Sequence, residues 1–577
     1  MSPSFFSELR RRNVYKVAVA YAVVGWLLVQ IATQTFPFFE IPNWAVRLVI
    51  LAVVIGFPIA LIIAWAFELT PEGVKRTESG TDIPRKSSGS LAWIYVAGAA
   101  GLLSVAIFFL GRQSAQTAKV HDLAGDKSIA VLPLVNQSGD PAQEYFSDGL
   151  SDELINGLAQ IPGLRVIGRN SSFHFKGKTG DSRALGQALG VANLLEGSVR
   201  QVGDRVRISV ALVEAANGSQ RWSQVYDRAL TDIFAVQTEI AKSVADRLRV
   251  TLLGGQFVVS AEPSNGNLDA YNAYLQGQYL NRTGTPAGLT TAISFYDQAI
   301  RLDPKYADAY ALKSLAWAQL AYFKGAKGAD EWEKARTAAK AALAVKPDLA
   351  RARGALAYTY VNEWNLTAAE AELTRPGLDD TRSLPHMLAL VRFCQDRKEE
   401  AIQLEQRAIQ ADPVFGLFRR NLGVLFIAAG RFEEGERELR RAIELQPQSS
   451  DQQLLLVELA LLRNQPEVAL REARLEPAGV LQDVAMALAQ AAQPGSGEAN
   501  AALDSLIERH GEAAPFRIAL VYAYRREADK VFEWLDRAYA VHDPRMIRLL
   551  TTPFLEPYRA DPRFTALCQK LALPFPK

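Results

Sequence analysis

From residue 268 onward the chain repeats itself, and this limits its fold more than any other feature. A small residue is followed seven positions later by alanine and five later still by proline. The pattern recurs at Ala292/Ala299/Pro304, Ala335/Ala342/Pro347, Ala401/Ala408/Pro413 and Gly435/Ala442/Pro447. Pro413 and Pro447 lie 34 positions apart, and the interval from Pro347 to Pro413 leaves room for one degenerate unit around 350–380. A unit of this length cannot bury its apolar face alone, so copies must stack on one another. Small residues allow two antiparallel helices to approach closely, and proline ends the second. The spacing therefore predicts an all-α solenoid over 268–577, ending in a divergent cap.

A different pattern governs the amino-terminal part. Residues 17–35 (VAVAYAVVGWLLVQIATQT), 48–67 (LVILAVVIGFPIALIIAWAF) and 91–110 (LAWIYVAGAAGLLSVAIFFL) are apolar runs without a central charge. Each matches the roughly 20 residues that a helix needs to cross hydrocarbon. Arg10, Arg11, Arg12 and Lys16 precede the first run, and Lys75, Arg76, Arg85 and Lys86 separate the second and third. The expectation is an anchor of three spans over 1–111, in a bacterial inner membrane, with the amino terminus cytoplasmic and residues after about 111 periplasmic. The runs hold no acidic or basic residue that would mark a transport path.

Residues 112–127 are polar and read as a linker, after which the pattern becomes mixed α/β. SIAVLPLV is a buried-strand run, and Phe146, Leu150, Leu154, Leu158 and Ile161 have helical spacing. LRVIGR reads as a second strand, followed by a short helix at 182–189. Two further strands flank a Val-Gly-Asp turn, with alternation at Val206, Ile208, Val210 and Leu212. A helix over about 232–252 closes an α/β domain at 128–253, and the Gly, Pro, Ser and Asn of 254–267 mark a second linker. The predicted architecture is thus multi-domain: all-α anchor, α/β domain, all-α solenoid.

Candidates for chemistry are few. In NQSGDPAQEYFSDGLSDE, Asp140, Pro141 and Gln143 form a helix start of the capping-box kind. Glu144, Asp148 and Asp152 then follow at helical spacing, opposite the apolar stripe, as an acidic face open to a partner. Spread along a helix, they do not converge on a cation. Gly177-Lys178-Thr179 resembles the end of a phosphate-binding loop, but Ser172 stands where that loop needs glycine. Cys394 and Cys568 have no metal-ligand spacing, and the five histidines are scattered. A formal charge of +2 gives no basic field for nucleic acid. The expectation is no enzyme and no cofactor or metal; Asp148, Asp152 and Lys178 are the only residues worth testing for catalysis.

The unit 416–447, with Leu422, Gly423, Phe426, Gly430, Phe432, Leu439, Ala442 and Pro447, resembles the tetratricopeptide repeat nearly position for position. That resemblance implies a groove for a protein or peptide, lined in this unit by Leu417, Arg420, Val424, Ile427 and Ala428. The phrases SIAVLPLVNQSGDPAQEYFSDGLSDELINGLAQIPGLRVIGR, LLEGSVR and DIFAVQTEIA resemble the TolB amino-terminal-like domain of adenylate cyclase-associated and membrane-bound regulatory proteins. The tail and the amino-terminal module are similar to parts of the same proteins. Together the resemblances imply a membrane-embedded, periplasmic scaffold, adaptor or sensor. The alternative is a regulatory subunit of a signalling system, its α/β domain sensing a small ligand, without a catalytic or DNA-binding domain of its own.

Overall fold

The computed structural model describes residues 21, 25, 43–70, 73–76, 127–178, 180–250, 261–324, 328–375, 384–447, 449, 451–493 and 497–574. The chain divides into two compact units, residues 1–116 and 117–577.

In the first unit, α1 (Asn43–Ala66) runs directly into an antiparallel pair, β1 (Phe67–Thr70) and β2 (Gly73–Arg76), with Phe67 opposite Arg76. Among the described residues, no helix is long and apolar enough to cross a membrane. The expected span 48–67 falls on α1, which ends at Ala66. At Phe67 the chain becomes a strand. The other expected spans, 17–35 and 91–110, lie outside the described residues except for Tyr21 and Gly25. The three-span anchor is therefore corrected, and with it the inner-membrane location, the cytoplasmic amino terminus and the periplasmic placement. Hydropathy counts apolar residues, whereas a crossing needs them in one continuous helix.

The α/β part of the second unit is built on β3 (Ser128–Val131), β4 (Val135–Asn136), β5 (Arg165–Val166), β6 (Asn193–Val202), β7 (Arg205–Glu214) and β8 (Ser219–Ala229). The strand order is β5-β3-β6-β7-β8, with β4 beside β6. β3 is parallel to β5 and β6, and β6–β7–β8 form an antiparallel meander. The predicted turn is a two-residue hairpin in which Val202 faces Arg205 and Gly203 takes φ 61°. Strand alternation separates two cores. Ile129, Val131 and Leu195 face α2 (Glu144–Ala159) and α5 (Ile233–Arg247). Ala130 and Leu194 face Leu185 and Leu189 of α4 (Ser182–Leu189); α3 (Arg169–Phe173) follows β5.

The remainder, among the described residues, is a tandem of eight helical hairpins. The pairs are α6 (Leu268–Asn281) with α7 (Pro286–Leu302), α8 (Ala307–Lys324) with α9 (Ala329–Val345), and α10 (Ala350–Asn362) with the short α11 (Leu366–Leu373). Next come α12 (Leu384–Cys394) with α13 (Lys398–Ala411), α14 (Gly416–Ala428) with α15 (Phe432–Leu445), and α16 (Gln452–Leu462) with α17 (Pro466–Leu475). The last are α18 (Val480–Ala491) with α19 (Gly497–His510) and α20 (Pro515–Tyr524) with α21 (Ala528–Ala540). Two 3-10 turns, Pro544–Arg548 and Pro553–Tyr558, and α22 (Pro562–Lys570) complete the chain. Pro304, Pro347, Pro413 and Pro447 each fall two residues beyond a second helix, as the repeat spacing demands. Small residues set the closest crossing: a Cβ on Gly423 would stand 2.8 Å from Leu439, and one on Gly435 would stand 2.7 Å from Ile427. The array is of the tetratricopeptide type. It also folds back on itself, since His542 stacks 3.8 Å over Trp364 and Arg559 pairs with Asp396 at 3.3 Å.

Candidate interaction surfaces

Asp140 caps a short 3-10 turn, Pro141–Gln143, by accepting from the Ala142 amide at 2.9 Å, and α2 continues from Glu144. Asp140 thus caps as its position requires, but Gln143 does not close the capping box, since its buried Oε1 has no hydrogen-bond partner. The acidic face that follows is occupied by the chain itself. Asp148 and Asp152 are only 3% and 6% exposed. Lys176 Nζ lies 2.6 Å from both Glu144 and Asp148. Arg282, just after α6, reaches Asp148 and Asp152 at 3.3 Å each. Arg169 approaches Asp152 at 3.4 Å and lies 3.8 Å over the Phe173 ring. Burial lowers the Arg169 guanidinium to about 10, against the pull of Asp152.

Glu153 is buried beside this network. Tyr274 of α6 donates to its Oε1 at 3.4 Å, while its Oε2 has no hydrogen-bond partner. Burial pushes its carboxyl up to about 8; Arg351 opposes the rise, and Asp152 and Asp308 add to it. Arg351 of α10 bridges Tyr274 at 3.1 Å and Asp308 at 3.2 Å. Local periodicity gives no sign of Glu153, Arg282 or Arg351, because their partners come from elements more than 100 residues away in the chain for Glu153 and Arg282.

A second contact joins the α/β part to the array. Asp412 accepts from the Ser171 amide at 2.6 Å and from Asn170 at 3.0 Å, and Gly168 N–H donates to the Ala411 carbonyl at 2.8 Å. Val414 N–H donates to Ser171 Oγ at 2.9 Å, and its side chain joins the core under α4. The carboxylate takes up one free backbone amide near the start of α3, as a capping residue would, but comes from about 240 residues away.

Among the residues assigned to the groove, Val424 and Ile427 are buried in the core of their own hairpin, where Ile427 packs on Gly435. Ala428 is half-buried beside them. Arg420 makes a bidentate pair with Asp451. Leu417, 39% exposed at the start of α14, is the one of the five that faces solvent. A first helix of an array packs against neighbours on two sides, so its repeat positions overstate what is open.

Lys178 Nζ lies 3.1 Å from His174 Nε2 and Gly177 takes φ 71°; Thr179 lies outside the described residues. Desolvation first, then Lys178, lowers the His174 pKa. Among the described residues no three His, Cys, Asp or Glu side chains gather as a metal-binding group. Cys394 and Cys568 are both free and buried, and burial pushes the Cys394 thiol up to about 12.

No family model matches the chain. A curated relative, "Putative adenylate cyclase 3" of Rhizobium meliloti (strain 1021), is 39% identical over 195 residues, 33% of this chain. The chain spans 33% of the length of that relative. Among solved structures, Pseudomonas aeruginosa PilF shows 17% identity over 39% of this chain and 96% of its own, with a TM-score of 0.30. PilW, a type IV pilus biogenesis factor, shows 16% identity over 41% and 99%, also with a TM-score of 0.30. A thermophilic TPR protein of Thermus thermophilus shows 18% over 33% and 99%, with a TM-score of 0.27. Overlaps this low leave the description of the array resting on its own hairpins.

Proposed function

We propose that the chain is a binding protein, a scaffold or adaptor whose hairpin array takes a protein or peptide partner. The α/β part, residues 128–253, is read as a TolB amino-terminal-like domain that braces the array at 268–577. The observation that carries this reading is Leu417, an exposed leucine on a first helix whose other apolar residues are all used in packing. An apolar anchor on a rigid helix is what a peptide groove offers. The acidic side chains of α2 support the same division of labour, because their charge is used to dock the domain on the array.

The test is a cross-linking capture by the full-length chain, compared with its Leu417→Asp variant. Loss of a captured protein, with the circular dichroism unchanged, supports the groove. Capture that survives Leu417→Asp but is abolished by changes on β8 removes it. A second reading is favoured by the similarity to the rhizobial protein named as an adenylate cyclase: a regulatory subunit of a signalling system. Copurification with a cyclase whose activity changes on adding the chain distinguishes it.

A further inference from the structure

The sheet of the α/β part ends differently on its two sides. β5, at one edge, has two residues, whereas β8, at the other, has eleven. Among the described residues no strand pairs with the outer side of β8. Open edges are usually blunted by brevity, proline or lysine. SQRWSQVYDRA holds no proline, lysine or glycine. The register shift against β7 skips Arg221 near one end and leaves Trp222–Ala229 regular. Ser223, Gln224 and Val225 at the centre are exposed, Val225 by 59%. Leu230 N–H donates to the Asp204 carbonyl at 2.7 Å, one step beyond the Arg205–Ala229 pair. Antiparallel pairs alternate, so the even-numbered residues of β8 bond to β7. Ser223, Val225, Asp227 and Ala229 therefore turn their N–H and C=O outward.

The strand is also complementary to itself. A second copy that continues the sheet, with both cores on one side, must set residues of equal parity opposite each other. Only a two-fold axis at Gln224 pairs all eleven residues, because Gln224 is the midpoint of Ser219–Ala229. The same register sets Arg221 opposite Asp227 twice and Trp222 opposite Tyr226 twice. Moving the axis to Ser223 or Val225 leaves Arg221 and Asp227 facing neutral residues. Within one chain Arg221 pairs with Glu214 at 2.5 Å, and Arg207 with Asp227 at 2.6 Å. Across the seam the outer face then reads Glu214, Arg221, Asp227, Arg207, alternating in sign.

We propose that β8 is a dimerisation edge, pairing antiparallel about Gln224 with β8 of a second copy to form one continuous sheet. Ser223 and Val225 of each copy exchange the central hydrogen bonds, and the two-fold axis doubles every contact. Backbone bonds supply the attachment, and the Arg221–Asp227 pairs fix the register. The inference is independent of the groove at Leu417.

Cross-linking of the full-length chain tests the register. Gln224 faces its own copy in a non-hydrogen-bonded pair, whose Cα separation of about 4.5 Å suits a disulfide. With copper phenanthroline as oxidant, Gln224→Cys should give a covalent dimer on a non-reducing gel, and Ser223→Cys should not. Mixing Ser223→Cys with Val225→Cys should restore the dimer, because those positions lie opposite. Cys394 and Cys568 are buried, so the wild type should stay uncross-linked. Sedimentation equilibrium should show the wild type as a dimer. Val225→Pro removes an outward amide and spares the ladder to β7, a change that edge strands tolerate. It should weaken self-association at least about tenfold, since each dimer loses two hydrogen bonds. A monomeric wild type, a dimer unaffected by Val225→Pro, or equal cross-linking at 223 and 224 overturns the proposal. Should Val225→Pro fail to fold, the cysteine variants decide alone, and cross-linking no greater at 224 than at 223 is fatal.

Discussion

Where α2 meets α6, Glu144, Asp148 and Asp152 each find a cation from another element. In the later hairpins, among the described residues, the buried Nε atoms of Arg517 and Arg548 have no hydrogen-bond partner, and Arg548 lies 5.5 Å over the Phe393 ring. Both places remove charge from water, but the first neutralises it within the chain and the second does not. Matched buried charge holds two parts in one arrangement, whereas an unpartnered buried donor only costs stability.

Removing one partner from each place should separate them most widely. Arg282→Met leaves Asp148 and Asp152 short of a cation and should cost about 3 kcal/mol in urea unfolding. Arg517→Met removes an unpaired guanidinium and should leave stability unchanged or raise it by about 1 kcal/mol. Equal losses for the two would erase the distinction.

A pH titration sharpens the comparison. Because the folded Glu153 carboxyl is raised from 4.5 to about 8, its contribution is fully present below pH 4.5 and is lost as pH climbs towards 8. Glu153→Gln should therefore gain on the wild type steadily across that window, by a few kcal/mol at its upper end, since each tenfold change in proton affinity is worth about 1.4 kcal/mol. Parallel melting curves for the two proteins between pH 5 and 8 would show that the joint tolerates the charge.

The smallest effect belongs to the groove. Ile427→Ala should cost about 3 kcal/mol, as a buried methyl-rich side chain does. Leu417→Ala should stay within about 0.5 kcal/mol while still weakening partner capture. A large loss at Leu417 would place it in the core and leave the proposed groove without its anchor.

Much of this was legible from local pattern. The proline spacing marks the ends of α7, α9, α13 and α15, and Asp140 starts its helix where the capping residues require. The strand β8 was not legible. Its buried residues, Trp222 and Tyr226, are four apart, with exposed Gln224 between them, so an edge strand loses the alternation that reveals central ones. Helical spacing places Glu144, Asp148 and Asp152 on one face, but nothing near residue 148 announces an arginine at 282 that covers it. The apolar runs before residue 111 were legible as hydropathy only; the chain becomes a strand at Phe67.

One last consequence follows from Asp412. A free-standing stack of helical pairs behaves as a spring, stretching or twisting by small increments at every junction. Here the α/β domain grips the stack at α6 and again between α13 and α14. The hairpins between those grips form an arc with a rigid chord across it, so their curvature is fixed before any partner arrives. A partner needing a wider arc must first release Asp412 from the amide of Ser171.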